Sequence, residues 1–121
     1  MENIAKDLEK IKILITIVNR GKGHFFIDSL ENFDVNLQCL ILGRGTANSE
    51  LLDILGLDSA EKDIILSTVR EDEVKQIIDK LNEKFNQKKS LNGICFTVPV
   101  KSVVGVYLYQ FLSNTRTKRS N

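Results

Sequence analysis

The feature that most restricts the fold of this chain is its alternation of strand-like and helix-like segments. Four apolar runs rich in Ile, Leu and Val have the length and composition of strands: residues 11–18, 35–42, 64–69 and 94–100. Two amphipathic stripes at helical spacing alternate with them, at 25–33 after the first run and at 71–85 after the third. This order predicts an α+β protein of the ferredoxin-like βαββαβ class, with an antiparallel sheet and both helices on one face.

The stripes also indicate which side of each helix packs on the sheet. The first, a helix of about ten residues, presents Phe26, Ile27, Leu30 and Phe33. The second presents Val74, Ile77, Ile78, Leu81 and Phe85. In the last strand, alternation predicts core-facing positions at Ile94, Phe96, Val98 and Val100.

The sheet face opposite the helices is also predicted to be apolar. Depending on the register, it carries either the alternate positions along each strand or the set Leu14, Val18, Leu40, Leu42 and Ile65. An apolar face without a helical cover favours oligomerisation.

The composition fits one domain. At 121 residues and 42% hydrophobic, the chain can form a single core, assigned to residues 1–112 with a β-prone extra C-terminal strand at 103–112. Residues 113–121 contain no apolar residue and are predicted to be a disordered basic tail. A net charge of +1 provides no general attraction to nucleic acid or to a membrane.

Two further observations predict a cytoplasmic location. Cys39 and Cys95 lie inside apolar runs and are predicted to be buried free thiols in a reducing compartment. No apolar run approaches the roughly 20 residues that span a bilayer, and no signal-like segment opens the sequence. Membrane contact is therefore expected only through a partner.

Glycine-rich basic turns form the candidate ligand site. One such turn, 19–24, precedes the first helix, and a second, 43–46, follows the second strand; a polar turn at 86–93 adds Lys88 and Lys89 next to Asn92-Gly93. Glycines allow backbone N–H groups to approach an anion, and the neighbouring cations add charge. The simpler alternative is that the glycines only make turns and the cations are solvated. The candidate ligand-binding residues are Arg20, Lys22, Gly43, Arg44, Gly45, Thr46, Lys88, Lys89, Asn92 and Gly93.

Neither a catalytic residue nor a metal site is predicted. His24 has no second histidine and no cysteine or carboxylate at ligand spacing, so it is interpreted as a surface residue.

The connection 43–62 is long for a compact domain, which is typical of a functional or internally structured segment. Ser49 can cap a short helix that Gly56 ends. The apolar side of this helix consists of Leu51, Leu52, Ile54 and Leu55. It needs a cover, either from the same domain or, as we favour, from a neighbouring subunit.

Over residues 11 to 105 the chain resembles the PII-like branch of the nitrogen regulatory protein P-II superfamily. The resemblance is carried by four segments in order: LITIVNRGKG at 14–23, LGRGT at 42–46, LGL at 55–57 and PVKSVVG at 99–105. It implies a ferredoxin-like homotrimer with inward-facing sheets and ligands in clefts between subunits. It further implies that the loop 43–62 passes the signal to a transporter or enzyme target, with regulation of nitrogen utilization as the suggested process.

The chain also departs from well-studied P-II proteins. Residues 43–62 contain neither the modified tyrosine nor the glutamine that helps bind 2-oxoglutarate with magnesium. Ile94 stands where those proteins have a lysine. Their two phosphate-binding arginines correspond approximately to Gly105 and Tyr107 of this chain. The sequence therefore assigns no definite cofactor. If the ligand is an adenine nucleotide or another small anion, the positive charges that bind it would come from Arg20, Lys22, Arg44, Lys88 or Lys89.

These observations favour a non-enzymatic regulatory protein that senses a small anion. An alternative is a small acylphosphatase-like hydrolase on the same fold, in which Asn19 and Arg20 hold a phosphate, although no activated nucleophile can be named. RNA binding is disfavoured because the runs 11–18 and 64–69 lack the aromatic residues that stack on bases.

Overall fold

The computed structural model describes residues 10–45 and 61–102. Its strands are β1 (Ile11–Asn19), β2 (Gln38–Arg44), β3 (Glu61–Arg70) and β4 (Gly93–Pro99). Its helices are α1 (Gly23–Asp28) and α2 (Val74–Phe85), with short 3₁₀ turns at Glu71–Glu73 and Lys89–Leu91. The predictions for Thr46, for the helix near 49–55, for the strand at 103–112 and for the tail lie outside the described residues.

The strands form one sheet in the order β2-β3-β1-β4, with every neighbouring pair antiparallel. Residues from both helices join one core cluster with residues of β1 and β3, which places the helices on the same face of the sheet. The predicted ferredoxin-like βαββαβ fold is confirmed.

The core lies between the two helices and this face of the sheet. Its buried members are Leu14, Val18, Phe26, Leu30, Ile65, Val69, Ile77, Leu81 and Leu91. Each fully buried Leu, Ile or Phe side chain contributes about 1.5–3 kcal/mol relative to exposure. The predicted apolar stripes of both helices are confirmed, since the remaining stripe residues pack against the same cluster.

The first helix is shorter than predicted. α1 has six residues. The chain then continues through 3₁₀-type turns, in which each N–H donates to the carbonyl three residues earlier: Leu30 N to Ile27 O and Phe33 N to Leu30 O. Such tighter turns rotate the chain differently from an α-helix. They still bring Leu30 and Phe33 to the core, so the stripe was right although the helix length was wrong.

The second and third strands extend further toward their connection than predicted. Gly43 and Arg44 belong to β2 and pair with Lys62 and Glu61 at the start of β3. The predicted loop at 43–62 therefore begins and ends in paired strand. Val35, predicted as the start of the strand, instead packs against the core before β2 begins.

The facing predicted for the last strand is wrong. The register pairs Cys95 with Thr16, on the helix side, and pairs Phe96 with Ile15, on the opposite side. Accordingly, Cys95 packs against the core whereas Phe96 is 43% exposed. Val100 lies beyond the end of β4.

The same register decides the composition of the sheet face opposite the helices, which we call the open face. Leu14, Val18 and Ile65 lie on the helix side, so the alternate set forms the open face. Its apolar members are Ile11, Ile13, Ile15, Ile17, Cys39, Ile41, Ile64, Leu66, Ile94, Phe96 and Val98. Cys39 is exposed there, contrary to its predicted burial, while Cys95 is half-buried, and both thiols are free.

In the parts of the chain that the structure describes, no helix is long and apolar enough to cross a membrane.

Candidate functional site

The topology brings the glycine-rich segments to one end of the sheet. Gly43 pairs with Lys62, which in turn pairs with Asn19. On the other side of β1, Val18 pairs with Gly93. The ends of β1 and β2 and the starts of β3 and β4 therefore share this edge of the molecule, which we call the loop end of the sheet.

The turn after β1 folds around a carboxylate from β3. Gly21 N and Gly23 N donate to Asp63 Oδ2 at 3.0 and 2.9 Å. Gly21 has φ +90°, a conformation that favours glycine, and this turn of the backbone brings Gly23 N to the same carboxylate oxygen that Gly21 N contacts. Asp63 is only 3% exposed, so an internal anion occupies the cradle of N–H groups that the sequence offered to a ligand.

Arg20 lies beside this carboxylate and contacts both the edge strand β2 and the neighbouring strand β3. Its Nη2 donates to Gly43 O at 2.7 Å and its Nε donates to Lys62 O at 3.2 Å. Nε also lies 3.5 Å from Asp63 Oδ1. The guanidinium thus ties the end of β2, the start of β3 and the turn after β1 into one unit, with 36% of its side chain exposed.

The turn before β4 is fixed to the same unit. Asn19 Nδ2 donates to Ser90 O at 3.1 Å, and Leu91 inserts into the core at 5% exposure. Gly93 lies so close to β1 that an added Cβ would overlap Ile17 O. Gly93 thus has a packing reason independent of any ligand.

The remaining candidate cations lie at the surface of the loop end. Arg44, Lys88 and Lys89 are exposed, and Lys22 is half-buried with Nζ 5.8 Å from the centre of the Phe25 ring. Gly45 and Asn92 are half-buried.

The candidates divide between the two edges of the sheet. β2 and β4 are separated by β3 and β1, which corresponds to about 14 Å across three strand spacings. Arg44 and Gly45 lie at the β2 edge, whereas Asn92 and Gly93 lie at the β4 edge. Within a single chain, these two groups therefore lie on opposite edges of the sheet.

Sequence reasoning missed Asp63, although it is the residue that organises the turn. The available signal was a carboxylate immediately before the apolar run 64–66; the register places this position on the helix side, opposite Val18. His24 is exposed, as predicted, with its ring 4.2 Å from that of Phe25. Within residues 10–45 and 61–102, no three His, Cys, Asp or Glu side chains are grouped to hold a metal ion.

The fold and this end of the sheet define the class: a ferredoxin-like βαββαβ domain whose glycine-rich basic turns gather at one end. Among solved structures, CPII bound to ADP, AMP and acetate, from Thiomonas intermedia K12, has the same fold. The TM-score is 0.60 at 15% identity, covering 79% of this chain and 91% of that chain.

A functionally unknown protein from Pediococcus pentosaceus ATCC 25745 is also similar, with a TM-score of 0.53 at 10% identity, covering 80% of this chain and 98% of that chain. Neither a family profile nor a curated protein sequence matches the chain. The resemblance to PII-like proteins is thus confirmed at the level of the fold.

Proposed function

We propose that this chain is a non-enzymatic, PII-like regulatory protein of the cytoplasm that senses a small anion in clefts between the subunits of a homotrimer. Residues 43–62 contact the target, a transporter or an enzyme. The observation that carries the proposal is the combination of one open apolar sheet face with basic, glycine-rich turns gathered at the end of the same sheet.

The open face supports self-association. Its edge residues Ile41 and Phe96 are each 43% exposed. Burying such a face against sister copies removes apolar area from water, which stabilises an oligomer by about 25 cal/mol per Å².

The separation of the candidate residues supports a site between subunits. A ligand that uses both Arg44 and Gly93 is accommodated most directly where the β2 edge of one copy lies next to the β4 edge of another. An adenine nucleotide is the first candidate because the similar CPII structure was solved with ADP and AMP.

Thermal shift with ADP, AMP and inorganic phosphate tests ligand sensing, and light scattering tests assembly. We expect a mass about three times the 13.7 kDa of the chain and stabilisation by at least one anion without its turnover. Arg44→Ala should weaken this stabilisation while the oligomer persists, and Lys75→Ala, on an exposed part of α2, is the matched control. A monomer that no anion stabilises would overturn the proposal.

A pair of phenylalanines tests the open face directly. Phe96→Glu places a charge on that face and should yield a smaller species, whereas Phe25→Glu, on α1, has a similarly exposed ring at 39% and should leave the oligomer unchanged. Equal effects of the two substitutions would show that the open face is not the interface.

The acylphosphatase-like alternative is weakened by the contacts of its two key residues. Asn19 donates to Ser90 O, and Arg20 donates to two backbone carbonyls and faces Asp63. Release of phosphate from acetyl phosphate, abolished by Arg20→Ala, would favour this alternative.

A further inference from the structure

The Arg20 side chain touches both strand ends that flank residues 45–60. Gly43 is near the end of β2 and Lys62 near the start of β3, and both carbonyl oxygens accept hydrogen bonds from the same guanidinium. These two bonds use Nη2 and Nε. The geometry of the two strand ends is therefore coupled to the position of one side chain.

Asp63 determines that position. Its Oδ2 accepts from Gly21 N and Gly23 N, which follow Arg20 directly in the same turn, and its Oδ1 lies 3.5 Å from Arg20 Nε. Oδ1 is buried and has no hydrogen-bond partner among the described residues, so the guanidinium is the group that offsets its charge. Removing either charge leaves the other without its partner.

From these contacts we propose that Arg20 and Asp63 form a clip that positions the ends of β2 and β3, and that Arg20 is a positioning residue rather than a ligand of the sensed anion. The N–H cradle at 21–23 is filled by the protein's own carboxylate. The sensed anion takes its charge partners from the exposed Arg44, Lys88 and Lys89. This inference rests on the proposed anion sensing and adds how the strand ends that enter residues 43–62 are held.

Asp63→Asn separates the clip from direct binding because the two roles predict opposite signs. If Arg20 bound the anion directly, removing the competing carboxylate would free its charge and tighten ADP binding. If Arg20 positions the strand ends, the neutral amide still accepts from Gly21 N but holds the guanidinium less well. We then expect ADP affinity, measured by calorimetry, to fall about fivefold or more.

Arg20→Lys tests the geometry of the guanidinium at constant charge. Lysine keeps the positive charge but lacks the planar fork that reaches two carbonyls and a carboxylate together. In the protein without ligand, the carbonyl ¹³C signals of Gly43 and Lys62 should move upfield, the direction of a lost hydrogen bond. The matched control is Arg70→Lys, since Arg70 also pairs with an aspartate but lies at the opposite end of β3.

The outcomes distinguish the clip from the proposed function. Unchanged carbonyl signals in folded Arg20→Lys, or tighter ADP binding by Asp63→Asn, would overturn the clip even if the wild type senses ADP. If the wild type binds no ADP, that ligand assignment fails, and the carbonyl signals alone decide the clip. Circular dichroism verifies that each variant is folded, and should Asp63→Asn not fold, the carbonyl signals of Arg20→Lys decide between the two roles.

Discussion

Two of the candidate ligand-binding glycines differ in what surrounds them, and this difference separates packing from function. A Cβ at Gly93 would overlap the backbone carbonyl of Ile17 and lie 2.8 Å from Val18 Cγ1. A Cβ at Gly43 would lie 2.6 Å from Ile64 Cδ1, which is the far end of a flexible side chain. Gly93→Ala therefore requires a backbone shift, whereas Gly43→Ala requires only a side-chain adjustment.

The magnitudes follow from these contacts. Inserting a methyl group against a fixed backbone costs about 3 kcal/mol, at the upper end for overpacking. For a domain of this size, that loss lowers the melting temperature by about 10 °C. Gly43→Ala should change stability by less than about 1 kcal/mol, because Ile64 can rotate and alanine reduces the entropy of the unfolded chain.

Chemical denaturation with and without ADP measures both effects. We expect Gly93→Ala to unfold at clearly lower denaturant concentration, and Gly43→Ala to unfold near the wild type but to lose most of its stabilisation by ADP. The second result would show that the backbone at Gly43 approaches the ligand. Equal stability losses in the two variants would refute the reasoning from close contacts.

Burial and charge lead to three further predictions. Leu81→Ala empties a fully buried position and should destabilise the fold by about 2–5 kcal/mol in denaturant titration. Burial raises the pKa of the Cys95 thiol, so alkylation at pH 8 should modify Cys95 slowly. Cys39 is exposed on the open face, so it should react quickly in a dissociated chain and slowly in the oligomer. The hydrogen bond from Arg70 lowers the pKa of Asp72 in the folded protein. The Arg70–Asp72 pair therefore adds a small stabilisation above the unfolded pKa of Asp72, and this stabilisation is lost as the pH falls through the folded pKa. Asp72→Asn should remove this pH dependence from the acid unfolding curve.

The order of elements and the helix stripes were predictable because they depend on local periodicity. The stripe of α2 alternates apolar and charged residues clearly, and burial of Ile77 and Leu81 follows from it. The turns after α1 changed the helix length without moving Leu30 out of the core, since the stripe constrains which residues are buried more strongly than it constrains backbone type.

The facing of the central strands was not predictable because both sides of β1 are apolar. Alternation places Ile15 on one side and Leu14 on the other, and a period of two cannot choose between two apolar sets. The helices pack on the side that also carries the small residues Thr16 and Ser67, both at most 2% exposed. The larger isoleucines therefore lie on the open face, where Phe96 joins them.

The basic turns that begin after Asn19 and at Gly43 look alike in sequence, yet the described residues of each have different surroundings. The first encloses the carboxylate of Asp63, which is 40 residues away from Gly23 along the chain, so no local pattern reveals that its N–H groups are already satisfied. The second begins in an edge strand, and its Arg44 remains exposed. Because a filled cradle has no spare donors for an external anion, a search for the ligand should concentrate on 43–45 and 88–93. A substitution at Arg20 that impairs sensing should be tested for loss of strand geometry before it is attributed to loss of charge.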